Sequence, residues 1–202
     1  MRSRYKLPTY LIAMLAATLA LASGVENGKA APEFKLKDTA GNTHSLSDYE
    51  GKYVVLEWIN YDCPFVRKHY NSGNMQRLQK TFTAKGVIWL AINSSAPGKQ
   101  GNFSLKEILK RSADHQAAFS AYLMDQSGEV GRAYGAKTTP HMFVIDPDGN
   151  VIYQGGIDDT PSTKVKDIEK AQNYVAAALD AALTGKTVEI TRSKPYGCSV
   201  KY

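Results

Sequence analysis

Cysteine is scarce in this chain, with two residues in 202, Cys63 and Cys198. The position that would complete a C-x-x-C pair after Cys63 holds Val66. That excludes a tight local dithiol, so the one protein thiol able to resolve Cys63 within the chain is Cys198. No basic block is interleaved with aromatic residues, which argues against a nucleic-acid partner. No internal repeat is visible. The longest apolar run, Leu11 to Leu21, is short for a bilayer span.

That run belongs to a pattern of its own. Arg2, Arg4 and Lys6 precede it, and Ala20-Leu21-Ala22 follows as an A-x-A cleavage site, with Gly28-Lys29-Ala30 as a second candidate. Residues 1–22 therefore read as an export signal, and an uncleaved N-terminal anchor is the alternative contact with a membrane. Removing Arg2, Arg4 and Lys6 leaves 22 basic against 19 acidic residues, so the formal charge of +6 overstates the basicity of the mature chain. Export, to a periplasm in this reading, implies an oxidising compartment in which a Cys63–Cys198 bridge would persist.

The remaining length suits one domain. Residues 23–32 read as a small polar linker, 33–185 as the domain, and 186–202 as a tail carrying Cys198. Phe34 to Leu36 reads as a short strand. Tyr53 to Ile59 is a near-continuous apolar run of the kind found in a central parallel strand. From Pro64 the pattern is helical to about Lys85, interrupted at Ser72-Gly73-Asn74. Gly86 to Ile92 and Tyr122 to Asp125 read as further strands, and Ser104 as the cap of a helix reaching about His115. Glu129 to Tyr134 suits a short helix. Pro147-Asp148-Gly149 joins Met142–Asp146 and Val151–Tyr153 as a hairpin. The longest helix is expected over about Val165 to Leu183, with strand-like Val188-Glu189-Ile190 beyond it.

Cys63 stands between the apolar strand and the helix that begins at Pro64. A helix N-terminus offers free N–H groups and partial positive charge, both of which favour a thiolate. Arg67 and His69, further along the helix, are candidates to lower its pKa. Cys63 is thus a candidate nucleophile, against the alternative of an inert buried cysteine. For Cys198 three readings stand: a resolving thiol, half of a structural disulfide, or a thiol paired elsewhere or free. A Cys63–Cys198 bridge would close a loop of about 135 residues and stabilise the fold by roughly 4–5 kcal/mol in the chain-entropy picture. For Tyr61, Phe65 and Tyr70 core packing is the default reading, with an aromatic rim at the site as the alternative.

The element order, Cys63 at a strand-to-helix junction and Thr139-Pro140 just before a hairpin resemble the thioredoxin fold, an α/β architecture with a mixed central sheet flanked by helices. Ala31-Pro32-Glu33-Phe34-Lys35-Leu36 with Leu46-Ser47-Asp48-Tyr49-Glu50-Gly51-Lys52 resembles its redoxin branch. That branch holds the alkyl hydroperoxide reductase/thiol-specific antioxidant proteins and exported thiol–disulfide oxidoreductases. The likeness covers about Ala31 to Leu183.

The resemblance implies a cis Thr139–Pro140 peptide beside the reactive cysteine, exposing the backbone of Thr139 to substrate. It also implies a buried acid below the cysteine, for which Glu57 is the candidate, the alternative being a carboxylate paired with a nearby Lys or Arg at a strand edge. His141 is expected on an exposed loop. The branch's peroxidases resemble P-x-x-x-T-x-x-C, whereas here Leu56 and Asn60 hold the Pro and Thr positions. Asn60 is the candidate donor to a bound oxidant. Copper carriers on this fold resemble C-x-x-x-C, but Arg67 stands at the second position. The reading is a thiol oxidoreductase acting on a peroxide or a disulfide and recycled by an external thiol, with no organic cofactor or metal. The rivals are a non-catalytic binding domain stapled by a disulfide, and a copper carrier using Cys63, His69 and His141.

Overall fold

The computed structural model describes residues 24–202; the signal reading of residues 1–22 lies outside the described residues. In chain order the elements begin β1 (Lys35–Asp38), β2 (Thr43–Ser45), β3 (Val54–Trp58), α1 (Pro64–Asn71), α2 (Asn74–Thr83), β4 (Ile88–Asn93) and α3 (Leu105–Asp114). They continue with β5 (Ala121–Met124), α4 (Glu129–Tyr134), β6 (Thr138–Thr139), β7 (His141–Ile145), β8 (Val151–Gly155), α5 (Tyr174–Leu183) and β9 (Cys198–Ser199).

Seven strands form one mixed sheet in the order β2-β1-β5-β4-β3-β7-β8. β3 runs parallel to β4 and β4 to β5, while β7 pairs antiparallel with β3 and β8. Every residue of β3 is buried because helices and chain cover both faces. Side chains alternate across a strand, so Val55 and Glu57 face α1, α2 and α5, and Val54, Leu56 and Trp58 face α4. Each fully buried aliphatic or aromatic side chain here stabilises by about 1.5–3 kcal/mol. The mixed α/β sheet with flanking helices is the expected fold class.

The interruption at Ser72-Gly73-Asn74 splits the expected helix into α1 and α2. Gly73 adopts φ 69° and caps α2, a left-handed conformation that a side chain disfavours. Ser104 caps α3, accepting from the Glu107 N–H while the Glu107 carboxylate accepts from the Ser104 N–H.

Three expectations are corrected. The helix expected over 165–183 is a 3-10 segment, Val165–Lys170, followed by α5. The 3-10 segment has no buried side chain to hold it on the core, and Asn173 starts α5 by accepting from the Ala176 N–H. Val188-Glu189-Ile190 forms no strand, with Ile190 exposed at the surface. The segment read as a linker is tied down along β8: Gly28 N–H donates to Val151 O, Val151 N–H to Lys29 O, and Ala30 bridges Asn150. No helix among the described residues is long and apolar enough to cross a membrane.

Candidate active site

Cys63 is the N-cap residue of α1, its backbone extended (φ −72°, ψ 123°), and Pro64 opens the helix. The preceding turn is closed by Cys63 N–H donating to Asn60 O at 2.9 Å. Asn60 also accepts from the Asp62 N–H through its side-chain oxygen and donates to Gln100 O. The amide that sequence made a substrate donor is thus tied by its oxygen to the turn and by one N–H, at 3.4 Å, to the loop after β4. The Cys63 side chain is fully buried.

The tail supplies what buries it. β9 pairs antiparallel with β6, placing Thr139 opposite Cys198 and Thr138 opposite Ser199. The Cys198 N–H lies 3.4 Å from Cys63 Sγ, and the Cys63 thiol donates to Thr139 O at 2.9 Å. The Thr139–Pro140 peptide is cis. Gly197 makes the crossing possible. Its φ is 140°, and a Cβ there would stand 2.1 Å from Thr139 O. Both cysteines are free thiols.

Burial pushes the Cys63 thiol up. The Cys198 thiol, the backbone N–H groups of Val66 and Cys198, and the Thr139 hydroxyl more than reverse it, so its pKa falls below that of an ordinary thiol. The Thr139 hydroxyl is buried without another partner, free to turn toward a thiolate. Thr139 O is the one contact that prefers the neutral thiol. Cys198 goes the other way: burial, then its hydrogen bond to Cys63 and the charge there, push it up to about 11. The pair is therefore asymmetric: Cys63 is the more acidic thiol, and Cys198 holds its proton more tightly.

The candidate tuning residues lie elsewhere. Glu57 is fully buried on the same side of the sheet as α1, accepting from Tyr70 OH (2.9 Å), Trp89 Nε1 (2.8 Å) and Gln79 Nε2 (3.1 Å). Burial outweighs these three donors and raises its pKa to about 7. Arg67 is exposed and is not one of the groups that act on the Cys63 thiol, which corrects it as a tuning residue. His69 is corrected too, because burial and the neighbouring Lys68 lower its pKa to about 3 and leave no positive charge to offer a thiolate. His141 sits in β7 opposite Trp58, buried rather than on an exposed loop, with Nδ1 accepting from the Lys137 N–H. Tyr61 and Tyr70 are core residues, not a rim, and Phe65 packs edge-on against Tyr196.

Sequence reasoning missed the group that anchors the tail. Tyr196 donates to Asp158 and accepts from His69 Nε2 at 3.1 Å; the Asn74 amide donates to His69 Nδ1, which fixes that tautomer. Lys68, fully buried, lies 3.6 Å from Asp158 and donates to Thr160 O at 2.8 Å. A signal was present: Phe65, Lys68 and His69 share one helix face at i, i+3, i+4, and that face starts beside Cys63. Among the described residues no group of three or more His, Cys, Asp or Glu side chains is placed to hold a metal. Both ring nitrogens of His69 are engaged, which removes it from a copper site.

The profile of the AhpC/TSA family matches residues 27–154. The chain belongs to the AhpC/TSA family. It is 31% identical over 130 residues to the thiol-disulfide oxidoreductase ResA of Geobacillus thermodenitrificans, covering 64% of this chain and 68% of that one. Over 142 residues it is 26% identical to the peroxiredoxin Bcp of Bacillus subtilis, covering 63% and 83%. A solved structure of a conserved, uncharacterized protein of Geobacillus kaustophilus superposes with TM-score 0.73 at 32% identity, over 88% of this chain and 92% of that one. The fold is thioredoxin-like, and this AhpC/TSA member is a thiol oxidoreductase.

Proposed function

We propose that the protein is an exported thiol–disulfide oxidoreductase that cycles between a Cys63/Cys198 dithiol and a Cys63–Cys198 disulfide. The observation that carries this is the pairing of Cys198 with Thr139, which delivers the second thiol to the first across the whole domain. Export rests on the signal pattern in residues 1–22.

The Cys63 thiolate attacks one sulfur of a substrate disulfide, forming a mixed disulfide and expelling a substrate thiolate. Cys198 then loses its proton and attacks Cys63 Sγ, releasing the second substrate thiolate and leaving the protein disulfide. The substrate gains two electrons. An external dithiol returns the protein to its starting state by the same exchange.

Disulfide exchange is favoured over peroxide reduction because the Pro and Thr of the peroxide-binding pattern are missing before Cys63. Leu56 and Asn60 occupy the Pro and Thr positions, and the Asn60 amide is already bonded to Gln100 O. Peroxide reduction remains the second reading, supported by the likeness to peroxiredoxin Bcp. In that reaction the thiolate would attack one peroxide oxygen and become a sulfenic acid while the other oxygen leaves as water or an alcohol, and Cys198 would then displace water from the sulfenic acid to form the disulfide.

The deciding experiment counts thiols by peptide mass spectrometry on reduced protein mixed with oxidised glutathione or with hydrogen peroxide. A Cys63–Cys198 disulfide forming faster with glutathione disulfide supports exchange. Faster formation with peroxide selects the peroxidase reading. A Cys63 that stays a thiol with both oxidants sinks both.

A further inference from the structure

The segment Thr191–Tyr202 is laid over the site and pinned on each side of Cys198. Upstream, Ser193 N–H donates to Gln154 O, and the Ser193 hydroxyl meets Tyr153 OH at 2.7 Å. Tyr196 then enters the socket made by Phe65, Lys68, His69 and Asp158. Downstream, Val200 N–H donates to Lys137 O and Ala96 N–H to Lys201 O. Tyr202 OH donates to Ala136 O at 2.7 Å, and the Arg132 guanidinium lies 4.4 Å from its ring centre. Two glycines make room for that ring: a Cβ at Gly128 or Gly131 would fall 2.5 or 2.6 Å from Tyr202 atoms.

Between these two anchors the segment holds β6 by a ladder of two residue pairs. A strand added to a short sheet edge is how an extended peptide docks, with backbone bonds giving affinity. Here the chain's own segment fills that edge. While it is seated, Cys63 has no exposed surface and the edge of Thr138–Thr139 beside it is filled.

We propose that Gly197–Ser199 is a tethered occupant of a strand-docking edge for a cysteine-bearing extended polypeptide, and that Tyr196 and Tyr202 are the latches a partner must overcome. The inference rests on the redox reading of Cys63 for its purpose, though not for its test. The fit at Thr139 O sets the partner's chemistry: the residue before the docking cysteine is glycine, because a Cβ there meets the carbonyl at 2.1 Å. Tethering gives the resident segment an effective concentration on the order of millimolar, so a free competitor enters only when a latch is weakened.

The test uses a fluorescein-labelled peptide with the sequence of residues 194–202 carrying Cys198→Ser, titrated into the reduced full chain and followed by anisotropy. Tyr202→Ala and Tyr196→Phe proteins are compared with the unaltered one, each checked by circular dichroism. The second keeps its ring, so it remains informative if the first does not fold. Binding roughly ten-fold tighter to the latch variants is expected, with a similar loss when the peptide also carries Gly197→Ala. Equal affinity for all three proteins overturns the proposal, as does indifference to the alanine peptide. Because the peptide binds without thiol chemistry, a Cys63 that fails to oxidise sinks the redox reading alone. Normal oxidation with latch-independent binding sinks only the docking edge.

Discussion

Thr139 and Cys198 face each other across an antiparallel pair, and the register places the Cys198 N–H 3.4 Å from the Cys63 sulfur. One backbone interaction therefore covers the Cys63 sulfur, points an N–H at it and brings the chain's second cysteine beside it. A C-x-x-C enzyme obtains its second sulfur from the next helical turn. In the proposed cycle this chain obtains it from a strand 135 residues away.

Replacing Cys198 by serine removes the proposed resolving sulfur and leaves the ladder in place. After one equivalent of oxidised glutathione, a Cys63–glutathione mixed disulfide is expected to accumulate, and intact-mass spectrometry reads it as an added glutathione. No accumulation, with turnover kept, would assign resolution to an external thiol.

Gly197→Ala keeps both cysteines but forces a Cβ to 2.1 Å from Thr139 O at a backbone φ of 140°. The segment must shift, and an ångström of misplacement slows a positioned reaction by up to about a hundred-fold. Formation of the Cys63–Cys198 bridge should fall by at least about ten-fold, while mixed-disulfide formation at Cys63 is retained or faster. An unchanged bridge rate would show that the close approach is not needed.

Glu57 predicts a pH slope in stability. Its folded pKa of about 7 lies above the ordinary 4.5, so the folded protein holds a proton that the unfolded chain has released. Stability therefore falls as pH rises from about 4.5 through about 7, by an amount on the order of 3 kcal/mol. Glu57→Gln has no proton to lose and should flatten that slope in urea titrations at pH 5, 6, 7 and 8. Its amide oxygen accepts from Trp89 and Gln79, and its NH2 finds the Tyr70 oxygen. Parallel slopes for the two proteins would remove Glu57 as the titrating group.

The tail socket contains a buried ion pair, Lys68 with Asp158, whose side chains are 0% and 2% exposed. Lys68→Met leaves Asp158 with the Tyr196 hydroxyl but no counter-charge, and a loss of about 3–5 kcal/mol is expected in the denaturant midpoint. A loss below about 1 kcal/mol would place the pair in the class of exposed bridges.

Much of the fold was legible because its signals are local. The run from Val54 to Trp58, the cap at Ser104 and the turn at Pro147-Asp148-Gly149 each depend on neighbours a few residues away. The 3-10 break before Asn173 was missed because apolar residues continue on both sides of it at helical spacing. The site was half legible. Cys63 announced itself by standing before Pro64, and Cys198 was the one possible partner within the chain. Tyr196, Asp158 and Lys68 meet only through the path of the tail, and no periodicity encodes a path. His69 shows the limit most clearly: near Cys63 in sequence, it serves Tyr196 instead.

The distance in sequence between Cys63 and Cys198 also bears on timing. Contacts between distant residues carry a loop-closure entropy that nearer contacts need not meet. The sheet around Cys63 already needs the distant pairing of β3 with β7, and bringing Cys198 to Cys63 closes a longer span again. Until then the first sulfur has neither its cover nor the Cys198 N–H. A nascent molecule is therefore a lone, unguarded thiol, and the paired sulfurs are themselves the mark of a finished one.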